Sequence, residues 1–260
     1  MNYLTGLQEQ HLCQLTRFIV QRQKEDGAFA ACPSLPSTVA DTYYSLSMLK
    51  KLGDYDGKSH FQSCIDRKKI RAFVRAHIPL RTSLPLRVRF FLHEIFRLVA
   101  EEGASYDDPC EDLDPGQRLT CENYFYAGQL SEKFREASLA VALDLAKCTG
   151  KDVYYFLLSS PGNIGRRPAE IIDWLQRCQN CDGGFGFFPG TTSYIEYSDY
   201  SLSSLGLLHQ QPLHYQKAEH YLLACRTAAG GFSRSPGAAP FLDASYHGLN
   251  ALFCLGNLSE

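Results

Sequence analysis

The sequence predicts an all-α protein of about five to six helix-loop-helix repeats closed into a ring. Three observations predict it: a glycine-phenylalanine turn that occurs three times, helical patterning on either side of it, and a length that holds enough units to close. The turns are QKEDGAF (Gln23 to Phe29), QNCDGGF (Gln179 to Phe185) and RTAAGGF (Arg226 to Phe232). The last two lie 232 − 185 = 47 positions apart, a period that fits two helices and their connections. The quotient 260/47 leaves room for between five and six units. Such a number can close a ring, whereas an open spiral would expose an apolar end.

Before each turn runs a one-sided helix. It is clearest in QKAEHYLLACR, where Ala218, Tyr221, Leu222 and Cys225 recur at i, i+3, i+4 and i+7. The glycines let the chain turn at positive φ, and the phenylalanine packs back onto the layer. A second helix follows a proline-containing loop: DTYYSLSMLKKLG, SDYSLSSLGLLHQ and SYHGLNALFCLG. Its apolar residues lie nearly all round with Ser or Gly between them, which suits a buried place between close neighbours. Gly53 and Gly256 are expected to cap the first and third copies, where the second carries His209 and Gln210. FREASLAVALDLAKCTG, ending at Gly150, reads as another second helix, and residues 68 to 99 as a helix pair broken around Pro79 and Pro85.

With 260 residues, 45% apolar and 21% charged, the chain suffices for one core and is expected to form a single domain, 1–260. A net charge of -2 gives no overall field for nucleic acid. MNYLTGLQEQHLCQLTRF lacks the pattern of a secretory leader, and no stretch approaches the run of about 18 apolar residues that a membrane span needs. A cytoplasmic location without a membrane span is expected. The ten cysteines are scattered through helix-like segments and are expected to be reduced core residues for the most part. Cys178 and Cys181 form a lone C-x-x-C that lacks the two further ligands of a structural zinc site.

Q-x-x-D-G-(A/G)-F followed by a Tyr/Ser/Leu-rich helix is similar to the repeat shared by protein prenyltransferase β subunits and squalene-hopene-type cyclases. GGFSRSPG (Gly230 to Gly237) and DASYH (Asp243 to His247) resemble the last repeats of the prenyltransferase β subunits. The resemblance covers residues 10 to 55 and 165 to 258. It implies an α/α toroid whose inner helices surround a cavity for an isoprenoid chain. The corresponding substrate-binding residues are Tyr43, Tyr44, Tyr197, Tyr200 and Tyr246. They can equally fill the ring as core.

The chemistry of those families is less visible. Counting back from the helix-ending glycine puts Tyr194 and Glu196 where protein prenyltransferases carry the zinc-binding Asp-x-Cys, and Ala244 at the histidine position. His247 lies almost a turn later. Zinc is therefore not favoured, and no cofactor is expected. The cyclases' Asp-x-Asp-Asp cluster has its nearest string at Asp112-Leu-Asp114-Pro115, in an acidic, turn-rich run that reads as a solvated loop. The basic stretch containing Lys68, Lys69, Arg71, Arg75, Arg81, Arg87 and Arg89 reads mainly as a helical face neutralised by that run.

Counting from the turn phenylalanines gives a different group. Glu196 and Asp243 share one register, since 196 − 185 = 11 and 243 − 232 = 11, and are expected to head adjacent inner helices at one cavity mouth. Asp41 lies one position further in its own repeat, and Asp199 and His247 within a turn of the pair. Crowded carboxylates in an apolar cavity raise at least one pKa and so prepare a general acid, while the same acids near helix N-termini also serve as caps. Two functions are expected from these residues. One is a terpenoid cyclase or prenyltransferase-like enzyme that binds an isoprenoid in the cavity and works through Glu196, Asp243, His247, Asp199 and Asp41. The other is a non-catalytic toroid that binds a lipid or a protein partner.

Overall fold

A computed structural model describes residues 9–57, 64–100, 110, 112–114, 116, 118–138, 143–159 and 168–258. Eleven α-helices occur among them: α1 Glu9–Val20, α2 Val39–Asp56, α3 Arg67–His77, α4 Leu86–Val99, α5 Cys121–Leu130, α6 Glu132–Ser138, α7 Gly150–Ser159, α8 Pro168–Arg177, α9 Ile195–Leu207, α10 Tyr215–Ala224 and α11 Leu242–Asn257. A 3-10 turn, Ile78–Ser83, joins α3 to α4, as the prolines there require. A two-residue antiparallel ribbon pairs β1, Phe232–Ser233, with β2, Pro240–Phe241.

Six helices form the inner ring. α2 packs on α4, α4 on α5, α5 on α7, α7 on α9, α9 on α11, and α11 returns to α2. Around them, α1, α3, α6, α8 and α10 lie against α2, α4, α5, α9 and α11 respectively. The protein is an all-α toroid, and the three Gly-Phe turns repeat one construction within it. Each forms the same bridge, Gln23 with Phe29, Gln179 with Phe185 and Arg226 with Phe232. In each, the buried phenylalanine N–H donates to a hydroxyl thirteen residues on: Thr42 at 3.0 Å, Ser198 at 3.0 Å and Ser245 at 2.9 Å. That hydroxyl donates to the carbonyl four residues back, so turn and inner helix are latched by one side chain.

The turn glycines also set how close the next outer helix comes. Gly183, at φ +93°, would place a Cβ 2.1 Å from the Lys217 carbonyl of α10. Gly230, at φ +97°, would place one 2.4 Å from the Gln14 carbonyl of α1, so the last turn docks on the first outer helix and closes the outer ring.

Two boundaries differ from the sequence reading. α2 runs through Gly53 to Asp56 and ends on Gly57 at φ 68°, and α11 runs through Gly256 to Asn257. A glycine inside a helix costs about 1 kcal/mol, which the packing of these buried helices outweighs. Gly150 begins a helix instead of ending one. Thr149 and Asp152 form a reciprocal capping pair there, with Asp152 Oδ2 accepting the Thr149 N–H at 2.9 Å. Residues 139–142 of that expected helix lie outside the described residues. None of the ten cysteines is in a disulfide: Cys110, Cys178 and Cys225 are buried, and Cys13 and Cys181 are exposed. No described helix is long and apolar enough to cross a membrane.

Candidate functional site in the bore

The inner helices run in register, so each contributes the same positions to the bore. Position two is a charged rim: Arg87, Glu122, Lys151, Glu196 and Asp243, with Ala40 and then Asp41 in α2. Positions five and six form the central layer. They read Tyr43-Tyr44, Phe90-Phe91, Phe125-Tyr126, Tyr154-Tyr155, Asp199-Tyr200 and Tyr246-His247. Ten of these twelve are Tyr or Phe; the remaining two are Asp199 and His247.

The rings touch all the way round. Centroid separations are 5.5 Å for Tyr44 and Phe91, 4.9 Å for Phe90 and Tyr126, 5.4 Å for Tyr126 and Tyr155, 5.4 Å for Tyr154 and Tyr200, 5.2 Å for Tyr200 and His247, and 4.9 Å for Tyr246 and Tyr44. They leave a central space of about 130 Å³ that Arg87, Asp199, His247 and Asn250 also line. Burial raises the hydroxyl pKa values of Tyr126, Tyr154, Tyr155, Tyr200 and Tyr246, and pushes Tyr44 up to about 12. These phenols are neutral donors and acceptors, and Tyr126 and Tyr155 share a 2.7 Å hydrogen bond.

Asp199 and His247 are buried together. His247 Nδ1 lies 2.8 Å from Asp199 Oδ2, while Asp199 Oδ1 accepts from Ser203 at 3.1 Å. Both side chains are under a tenth exposed. A carboxylate accepts only, so Nδ1 carries the proton and Nε2 is left as the other functional nitrogen.

Above this layer the rim charges are mostly paired. Glu122 meets Lys151 at 2.7 Å and Asp243 meets Arg234 at 2.8 Å. Asp243 Oδ1 also accepts the Ala244 N–H, and Asp41 is hydrogen-bonded to the N-cap Thr38 at 2.7 Å. Burial raises the Asp41 pKa, with the nearby Asp243 charge adding to it, against the Thr38 hydrogen bond. Glu196 and Asp243 both act electrostatically on Tyr44 and on Arg234, as residues sharing one mouth must. The Tyr200 hydroxyl lies 3.5 Å from Glu196. Arg87 donates to the Tyr44 hydroxyl; burial works against its charge, but Tyr44, Tyr126, Tyr200 and Glu122 outweigh it and raise its pKa.

Of the ten residues singled out from sequence, Tyr43, Tyr44, Tyr200, Tyr246, Asp199 and His247 line the central space. Glu196, Asp243 and Asp41 stand at the rim. Tyr197 lies against Phe187 at 5.7 Å and Tyr200 at 6.2 Å. Sequence reasoning missed Phe90, Phe91, Phe125, Tyr126, Tyr154 and Tyr155, and with them the role of Arg87. The signal was present as adjacent aromatic pairs, FF, FY and YY, in segments that lack the Gly-Phe turn. Asp112 is not simply solvated: its carboxylate binds the buried Arg89 at 2.5 Å, and Asp114 accepts the Gly116 N–H at 2.9 Å.

The zinc of protein prenyltransferases does not fit this donor set. Among the described residues no three His, Cys, Asp or Glu side chains converge on a point. Asp199 and His247 are bonded to each other and surrounded by phenols and Ser203, with the Cys254 thiol and the Lys51 ammonium near enough to feel the Asp199 charge. A catalytic zinc takes three protein ligands, so no step is routed through one.

A closed inner ring of helices in register, outer helices packed against it and an aromatic bore define an α/α toroid. The chain belongs to the prenyltransferase alpha-alpha toroid domain family, whose model matches residues 1–81, 153–222 and 193–260. A comparison with curated proteins finds no match.

Proposed function

We propose that the bore binds an apolar chain of the isoprenoid type and that Asp199 and His247 are its acid–base pair, as in a terpenoid cyclase or prenyltransferase-like enzyme. The observation that carries this reading is the central layer, in which a ring of aromatic side chains is interrupted only by a hydrogen-bonded carboxylate and imidazole. Aromatic faces favour a developing cation. With one further proton on Nε2 the pair is an imidazolium held by the carboxylate, and that Nε2–H can go to an alkene: the π bond breaks, a C–H bond forms, the charge passes to the other alkene carbon and the imidazole is left neutral, free to take a proton back when the cation forms a new alkene. Glu196, Asp243 and Asp41 with Arg87 would then meet the polar end of the ligand at the rim, and Tyr43, Tyr44, Tyr200 and Tyr246 its apolar part, with Tyr197 beside them. A space of about 130 Å³ compares with the roughly 150 Å³ cavity that holds benzene, so it takes one five-carbon unit.

The test is thermal stabilisation by isoprenoid alcohols and diphosphates, repeated on variants. A bound ligand raises the melting temperature by mass action. Asp199→Asn is expected to abolish turnover of a bound isoprenoid while leaving melting nearly unchanged. Glu196→Gln and Asp243→Asn are expected to weaken binding of ligands with a polar head. If they instead bind normally and lose about 1 kcal/mol of stability at most, these acids are caps.

The tightness of the bore favours a second reading, a non-catalytic toroid that engages a lipid or protein on its surface. Ligand pockets ordinarily run from about 300 Å³ upward. Failure of every isoprenoid to shift melting would favour that reading.

A further inference from the structure

The central layer is lined by neutral rings, and the charges that border it do not cancel. Two rim carboxylates are answered in place, Glu122 by Lys151 and Asp243 by Arg234. Among the described residues Asp41, Glu196 and Asp199 have no such lysine or arginine partner. Two cations remain to balance these three: Arg87 at the rim and Lys51 beneath the layer, whose ammonium is held by Asn250. With the His247 imidazole neutral, the bore carries one more negative charge than positive. It already holds one cation against a ring, the Arg87 guanidinium carbon lying 5.3 Å from the Phe91 centroid.

We propose that the central space is a cage for a compact quaternary ammonium group, a cation bound in its ground state and not formed there by a reaction. This goes beyond the isoprenoid reading and does not rest on it. Size, charge and the shortage of acceptors together select the class. On the scale of the roughly 150 Å³ cavity that holds benzene, a space of about 130 Å³ takes about five non-hydrogen atoms, the size of tetramethylammonium. A cation within about 6 Å of aromatic centroids is attracted to their faces, more strongly where water is excluded. The acceptors that a primary ammonium or a guanidinium needs are already engaged: Asp199 Oδ2 takes the His247 N–H, Oδ1 takes the Ser203 hydroxyl, and Tyr126 and Tyr155 bond each other. A cation with N–H donors therefore leaves hydrogen bonds to water without replacing them, whereas a fully methylated one has none to lose.

The experiment uses choline, 2-aminoethanol and 3,3-dimethylbutan-1-ol, which share a hydroxyl end and differ at the other. The first carries a methylated cation, the second a cation with N–H donors, and the third is the uncharged carbon isostere of choline. Dissociation constants are measured by calorimetry on the full chain and on Tyr43→Leu and Tyr43→Phe. Choline is expected to bind the wild type at least tenfold more tightly than either of the others. Tyr43→Leu, which removes a ring bordering the space, should weaken choline at least tenfold, and Tyr43→Phe, which keeps the ring, should leave it within twofold. Equal affinity for choline and its carbon isostere would overturn the cage, since the space would then read shape alone. Tighter binding of 2-aminoethanol, or no binding of choline, would overturn it too, and the wild type suffices for each of these outcomes. Isoprenoid alcohols that stabilise the protein while choline does not bind would overturn the cage and leave the isoprenoid reading standing.

Discussion

Asp199 and His247 come from neighbouring inner helices and share a 2.8 Å hydrogen bond in the one sector of the central layer that is not walled by Tyr or Phe. They are offset by one position in their repeats, since 199 − 185 = 14 and 247 − 232 = 15. The bond fixes the imidazole's orientation. Nitrogen-15 NMR of the histidine ring is expected to show the Nδ1-protonated tautomer in the wild type. In Asp199→Leu the ring should lose that preference, and the imidazole left unpaired in the core should cost about 1–3 kcal/mol. An unchanged tautomer in Asp199→Leu would mean that another group orients the ring.

The latches offer a test of the repeat itself. Ser198→Ala and Ser245→Ala each strand a buried phenylalanine N–H, at about 1–3 kcal/mol apiece. Thr42→Ser keeps the hydroxyl and should cost less than Thr42→Val. Because the latches sit in separate repeats and share no partner, the double variant of Ser198 and Ser245 should lose close to the sum of the two in urea denaturation.

Gly183→Ala and Gly230→Ala are expected to be severe, because each combines positive φ with a Cβ inside the contact distance of a neighbouring backbone. Gly57→Ala is the control. It has positive φ but nothing within 4 Å of the added Cβ, so only the conformational cost of about 1 kcal/mol applies. Melting temperatures that fall equally for the three would refute the close docking of the turns on α10 and α1.

Asp112 holds the buried Arg89, and its hydrogen bond from that guanidinium, opposed by burial, places the carboxyl below its ordinary pKa. A depressed carboxyl adds stability above its unfolded pKa, about 3.9, and loses it as pH falls through the lower folded value. The expected contribution near neutrality is about 1 kcal/mol, reduced by the partial exposure of Asp112. Asp112→Asn should therefore be less stable than the wild type at pH 7, with the difference shrinking below about pH 4. A difference that persists unchanged at pH 2 would assign the loss to packing instead of charge.

The fold was legible because the Gly-Phe turn is a local device: a short string specifies the bend, the bridge and the docking surface. Where that device is missing, between residues 68 and 159, register was lost and Gly150 was read as an end. The site was legible in part. Counting equal distances from Phe185 and Phe232 finds residues at one height, and so finds the rim acids Glu196 and Asp243. It puts Asp199 and His247 within a turn of those acids without joining the two to each other, because side chains that meet across two packed helices interleave and need not share a height. Nor can a single sequence reveal that Tyr154, on a helix without the turn, stands in the same layer as Tyr43.

The closed inner ring bears on how the chain folds. The Lys51 ammonium of α2 donates to Asn250 of α11 at 2.5 Å, across 199 positions of chain. Bringing segments that distant together from a flexible chain costs about 5 kcal/mol in closure entropy, against about 3 for partners one repeat apart. Units joined by local contacts can assemble first and shorten the effective gap, so the seam between α2 and α11 should form late. Substitutions at this clasp should speed unfolding and leave the refolding rate almost untouched.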